Sequence, residues 1–191
     1  MRAPRTALTA PAAGALAAVV LLAGCTSGGP AEPAPPLPEA LTEYTALHDD
    51  VLAAVEHGPD VPELTWAESG TATYPAVQEQ EDGECVLFVT NVNGTGTVDD
   101  ARATLGALAA AVGPVVEEHG FEPLSEIQQS DVNGDLWVES SDPSGWTFEV
   151  RGGGQSSAEA PDAVVELSLS GPVTTGDCDD QALEQAVVDA G

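Results

Sequence analysis

Few residues in this chain can do chemistry. There are three histidines, His48, His57 and His119, and three cysteines, Cys25, Cys85 and Cys178. No cysteine has a second one close by, so zinc-site and dithiol spacings are absent. His57 and His119 fall at or near expected helix ends, where an imidazolium suits the dipole and the last carbonyls. His48 sits mid-helix beside Asp49 and Asp50. Asp131, Asn133 and Asp135 place oxygen side chains at positions one, three and five of a calcium-loop pattern. The pattern then fails, with Leu136 where glycine is needed and Asp142 where a bidentate glutamate is needed. The segment reads instead as a hairpin turn on Asn133-Gly134. The chain has no lysine, no Gly-x-Ser-x-Gly elbow and no His-Glu-x-x-His. The glycine-rich run Gly152 to Ser157 lacks the lysine of a phosphate loop and reads as a flexible connection.

One group of side chains stands out. If Leu136 and Val138 face the core, Trp137 and Glu139 face outward, and Glu149, Arg151 and Glu166 join them on that side. A tryptophan among carboxylates can stack on a sugar or anchor a partner peptide. In the competing reading, the segment from Gly58 to Pro75 covers Trp137. Trp137, Glu139, Glu149 and Glu166 are therefore the candidate partner-binding residues. No catalytic residue, metal ligand or cofactor is assigned. Paired carboxylates can cleave a glycosidic bond, but among 32 acids no pair is singled out by spacing.

Those 32 acids stand against four basic residues, Arg2, Arg5, Arg102 and Arg151, for a formal charge of −28. No basic patch exists to neutralise phosphates, which excludes nucleic-acid binding by that route. Charge-driven docking on anionic lipid heads is excluded for the same reason. The fitting partners are a basic protein or a cationic ligand.

The first 24 residues contain no acid, and Arg2 and Arg5 precede an apolar run from Ala12 to Ala23. A basic start, a short apolar stretch and small residues before a break make a secretory signal. The run is too short for a membrane span. The break reads Leu22-Ala23-Gly24-Cys25. It resembles the lipobox of bacterial lipoprotein precursors. The resemblance implies a diacylglycerol on the Cys25 sulfur, cleavage just before it, and a cell-membrane anchor on the extracytoplasmic side. Two or three acyl chains on one residue hold a protein to the bilayer, where a single chain holds marginally. With Cys25 lipidated, Cys85 and Cys178 remain, and two cysteines in an oxidising compartment pair as a disulfide. Residues 26–38 are small and rich in proline, an extended tether of roughly 40 Å at about 3.1 Å per residue.

The elements that must position these side chains follow from periodicity. Glu39 to His57 carries Leu41, Tyr44, Leu47, Val51, Leu52 and Val55 at helical spacing and stops at Gly58-Pro59. Glu63 to Pro75 suits one or two short strands. Glu79 to Glu84 is an acidic loop, and Cys85 to Val92 is a strand bounded by Asn93-Gly94. A second helix starts at Thr97 and ends at Gly120, with Pro114 expected to kink or split it and Phe121 to fold back. A meander follows: Leu124 to Gln129, Asp135 to Ser140, Trp146 to Arg151 and Val164 to Ser170, the last ended by Gly171-Pro172. Asp142-Pro143-Ser144-Gly145 is a turn, and Asp179 to Ala190 suits a short terminal helix.

The expected organisation is a signal peptide (1–24), a lipidated cysteine and tether (25–38) and a single domain (39–191). That domain is expected to be α+β, an antiparallel sheet of four to six strands with two helices on one face. The order of elements resembles small lipoproteins of the actinobacterial LppA type. The functional expectation is a membrane-anchored, non-enzymatic binding or scaffold module with an acidic surface. The alternatives are an envelope hydrolase using a carboxylate pair, or a charge that serves only solubility and salt tolerance.

Overall fold

The computed structural model describes residues 32–68, 74–152 and 163–190. The signal segment, Cys25, residues 26–31 of the tether and residues 153–162 of the glycine/serine connection lie outside the described residues.

The fold is α+β. Its elements are α1 (Leu37–His57), β1 (Thr65–Glu68), β2 (Ala76–Glu79), β3 (Cys85–Thr95), α2 (Ala101–Glu118), β4 (Gln128–Gln129), β5 (Leu136–Ser141), β6 (Thr147–Gly152), β7 (Ala163–Val173) and α3 (Asp180–Ala190). The sheet runs β1-β3-β7-β6-β5-β4, and β2 pairs with the first half of β3 beside β1. All ladders between these strands are antiparallel. The sheet has seven strands, against the expected four to six. β1 falls in the stretch expected to hold one or two short strands, and the unexpected strand is β2, four residues that follow Pro75 and are too short for alternation to reveal.

α1 and α2 pack on one face of the sheet, as expected. α1 buries Leu41, Tyr44, Leu47, Val51 and Val55, and α2 buries Leu105, Leu108, Val112 and Val116. They cover Leu136, Val138, Phe148, Val150, Leu167 and Leu169, the inward residues of β5, β6 and β7. α3 packs on α1 and the edge strand β2.

The helix ends show local chemistry at work. The expected cap at Thr97 moves to Asp100, whose carboxylate accepts the Ala103 N–H at 3.0 Å. Pro114 neither splits nor ends α2. Gly113 precedes it, so the clash between a proline ring and the preceding Cβ does not arise. At the far end Phe121 N–H reaches the Val116 carbonyl and Gly120 N–H the Glu117 carbonyl. Gly120 takes φ 86, completing a Schellman cap with Phe121 buried behind it.

The disulfide is present, with Cys85 and Cys178 Cα atoms 5.4 Å apart. It ties the start of β3 to the segment between β7 and α3. The end of the expected tether is docked on the domain, which takes in Glu32 to Pro38 ahead of the expected boundary. Thr174 N–H bonds the Pro35 carbonyl, Leu37 N–H bonds the Thr174 carbonyl, and the Thr174 hydroxyl donates to the Ala34 carbonyl.

Two expected strand stops are not stops. β3 runs through Asn93-Gly94, and β7 runs through Gly171-Pro172. A Cβ on Gly94 would lie 2.9 Å from the Trp66 ring, and one on Gly171 would lie 2.3 Å from the Trp146 ring. Both glycines serve close packing, not a turn. Pro172 is tolerated because β6 pairs with β7 only as far as Ser170, which leaves that edge of β7 without a ladder. The expected strand from Leu124 shrinks to Gln128–Gln129. The stretch before it still runs beside β5, joined where Glu122 and Ser125 donate to the Ser141 and Glu139 carbonyls.

Candidate functional site

Strand register brings the candidate residues together on the face opposite the helices. Directly opposed residues of an antiparallel pair share a face. One row across the sheet reads Gln128, Trp137, Arg151, Glu166, Asn93. The next reads Glu139, Glu149, Ser168, Asn91. All four candidates, Trp137, Glu139, Glu149 and Glu166, therefore lie on one contiguous patch, each half-buried.

A donor holds each of the three glutamates, from a neighbouring strand for Glu139 and Glu166 and from two residues along the same strand for Glu149. Gln128 Nε2 donates to Glu139 Oε1 at 2.9 Å, and Asn91 Nδ2 donates to Glu166 Oε1 at 2.7 Å. Arg151 Nη2 sits 2.9 Å from Glu149 Oε1. The donors come from the other row of the patch, so the Gln128–Glu139 and Asn91–Glu166 contacts are diagonal, while Arg151–Glu149 runs along β6. Sequence reasoning named the carboxylates and missed Gln128 and Asn91. Their roles depend on the register of one strand against another, within the β4–β5 hairpin for Gln128 and between strands far apart in the chain for Asn91.

Glu149 is the most constrained of the three. Burial pushes its carboxyl above the ordinary value, Arg151 opposes that shift, and the neighbouring charges of Glu139 and Glu166 add to it. Three carboxylates thus share a small area with a single guanidinium, and the middle one resists ionisation.

Beside this patch lies a cavity of about 230 Å³ lined by Ser130, Asn133, Asp135, Trp137 and Arg151. Its wall is the β4–β5 hairpin. The turn is the one expected, with Gly134 at φ 79 and Ser130 N–H bonded to the Asp135 carbonyl. Asn133 Nδ2 donates to Asp135 Oδ2, so the would-be calcium ligands hold each other as a turn. Of the stretch 58–75, which the competing reading lays over Trp137, residues 69–73 lie outside the described residues, and the strand it forms lies away from Trp137. β1 sits at the opposite edge of the sheet, and Trp66 packs there over Gly94.

The histidines lie elsewhere. His57 Nδ1 contacts the Ala53 carbonyl at 2.9 Å, a helix-end contact as expected. His119, expected as a solvated helix end, reaches across to α1 and pairs with Asp50 at 3.0 Å. Among the described residues, no three His, Cys, Asp or Glu side chains are grouped to hold a metal ion. None of the described helices is long and apolar enough to cross a membrane.

Comparison with known proteins finds no matching family model, no matching curated protein and no matching solved structure. The likeness to lipoprotein precursors therefore rests on Leu22 to Cys25 and the leader before them.

Proposed function

We propose that the chain is a lipid-tethered, extracytoplasmic binding module whose open sheet face takes a basic protein or cationic ligand. The observation that carries the reading is the cluster of Glu139, Glu149 and Glu166 around Arg151 on the sheet face opposite α1 and α2. Gln128, Arg151 and Asn91 hold the carboxylates in place before a partner arrives, which reduces the ordering cost of binding. Half-buried Trp137 supplies a flat apolar surface in the same row. A Cys85–Cys178 bond suits an oxidising compartment outside the cytoplasm. Cleavage before Cys25 would remove Arg2 and Arg5 and leave Arg102 and Arg151 as the mature chain's only basic residues.

The test compares two triple variants of equal charge. One is Glu139→Gln, Glu149→Gln and Glu166→Gln. The other neutralises Glu117, Glu118 and Glu184, away from the patch. Titration with an oligolysine peptide is expected to show a clearly larger loss of affinity for the first. Equal losses would mean that net charge alone attracts the peptide and that the patch is no site. For the anchor, Cys25→Ser is expected to move the protein from the membrane fraction of its host to the soluble one. Unchanged fractionation would remove the tether from the reading.

A further inference from the structure

We propose that the cavity under the β4–β5 hairpin is a binding site for one ring of a neutral sugar. This inference stands apart from the basic-partner reading, although the two share the Trp137–Arg151 pair.

The cavity's lining combines three kinds of group. Trp137 offers an aromatic face, half-buried and therefore held in place. Sugar rings present apolar C–H faces that pack on such surfaces, while their hydroxyls need partners at the rim. Arg151 supplies donors and stands directly across the β5–β6 ladder from Trp137. Asn133, Asp135 and Ser130 supply acceptors and further donors from the hairpin.

Asp135 adds an observation of its own. Its Oδ2 is engaged by Asn133, while its Oδ1 is out of water and has no hydrogen-bond partner among the described residues. A desolvated carboxylate oxygen without a donor is unfavourable, and a ligand hydroxyl is the kind of group that would relieve it. For a ligand to reach Oδ1 the rim must yield, and the Arg151 side chain, 48% exposed, is the part able to swing.

Charge and size then select among ligands. An anion would meet Arg151 but also Asp135 and the field of a chain at −28. A cation would be drawn by Asp135 and the field of the chain, but inside the pocket itself it would meet the Arg151 guanidinium at close range. A neutral polyol meets donors and acceptors with no like charge to oppose it. The volume of about 230 Å³ lies below the roughly 300–1,000 Å³ of drug-sized sites, which suits a single ring.

The test uses the intact domain with its disulfide formed and follows the tryptophan indole N–H signals by NMR. The Trp137 signal is assigned with Trp137→Phe. Probes are the methyl glycosides of glucose, galactose, mannose, arabinose and N-acetylglucosamine, with glucuronate and glucosamine as charged comparisons. At least one neutral glycoside is expected to shift the Trp137 signal with a Kd of about 1–10 mM. In ligand-observed spectra, binding should be lost in Trp137→Ala. In Arg151→Gln, a substitution at an exposed side chain that keeps the test valid if the first variant unfolds, it should weaken about fivefold or more. The double variant Glu139→Gln, Glu166→Gln should keep sugar binding within about twofold while weakening oligolysine binding. The inference is overturned if no neutral glycoside binds up to about 20 mM, if a charged sugar binds more tightly, or if binding survives both Trp137→Ala and Arg151→Gln.

Discussion

Tyr44 lies flat on Trp146, with ring centroids 3.5 Å apart and planes within 9° of parallel. The pair joins the middle of α1 to the residue just before β6. Each ring is also held at its polar end. The Tyr44 hydroxyl donates to Asp142 at 2.5 Å, and Trp146 Nε1 donates to the Pro172 carbonyl at 3.2 Å. Asp142 in turn accepts the backbone N–H groups of Ser144 and Trp146, which closes the turn before β6. One stacked pair thus pins α1, the β5–β6 turn and the end of β7 to a common point.

Trp146→Ala should therefore cost about 3–5 kcal/mol of stability, at the upper end for a large buried aromatic. Gly171→Ala should be destabilising as well, by about 1–3 kcal/mol, because the new methyl would meet the indole. Urea denaturation of both variants measures the two losses. A neutral Gly171→Ala would show that the seat beneath Trp146 has room to spare.

Reducing the disulfide should lower stability substantially. The bridge spans a sequence separation of 93, for which chain entropy alone gives about 4–5 kcal/mol. Cys85→Ser with Cys178→Ser should match the reduced protein in thermal melts. A loss under about 1 kcal/mol would mean that the reduced denatured chain is already compact near these residues.

Glu149 should leave a signature in the pH dependence of stability. Its folded-state pKa lies above the ordinary value of 4.5, so the folded protein holds this proton more tightly than the unfolded chain. Its contribution is most favourable below the unfolded value and falls as pH rises through the carboxylate range to the raised value. Glu149→Gln is thus expected to gain stability over wild type near pH 7 and to lose that advantage below about pH 4. Urea midpoints measured across this range decide it. A constant difference between the two proteins would count against an unfavourable ionised Glu149.

Added salt should raise the melting temperature. A chain at −28 repels itself, and screening at high ionic strength weakens that repulsion. Melts at low and high NaCl give the comparison. A flat response would show that the acids are too far apart, or too well solvated, to strain the fold.

Much of the fold was legible before any coordinates. Trp146, Phe148 and Val150 alternate with Thr147, Glu149 and Arg151, and β6 buries the first set. The stop at Gly120-Phe121 and the turn at Asn133-Gly134 were readable because each depends on the backbone preferences of a few consecutive residues. The candidate patch was half legible. Alternation placed Trp137, Glu139, Glu149 and Glu166 on one side of their strands. It could not say that Gln128 and Asn91 would hold Glu139 and Glu166.

Asn93-Gly94 and Gly171-Pro172 mark the boundary between the two kinds of information. By local preference both are breakers, yet both lie inside strands. What decides them is an indole from elsewhere in the chain, Trp66 against Gly94 and Trp146 against Gly171. A turn is a property of local dihedral angles, so composition and spacing determine it. Close approach and register are settled by partners on or beside other strands, so only the packed structure could assign those glycines their seats and Glu139 and Glu166 their donors.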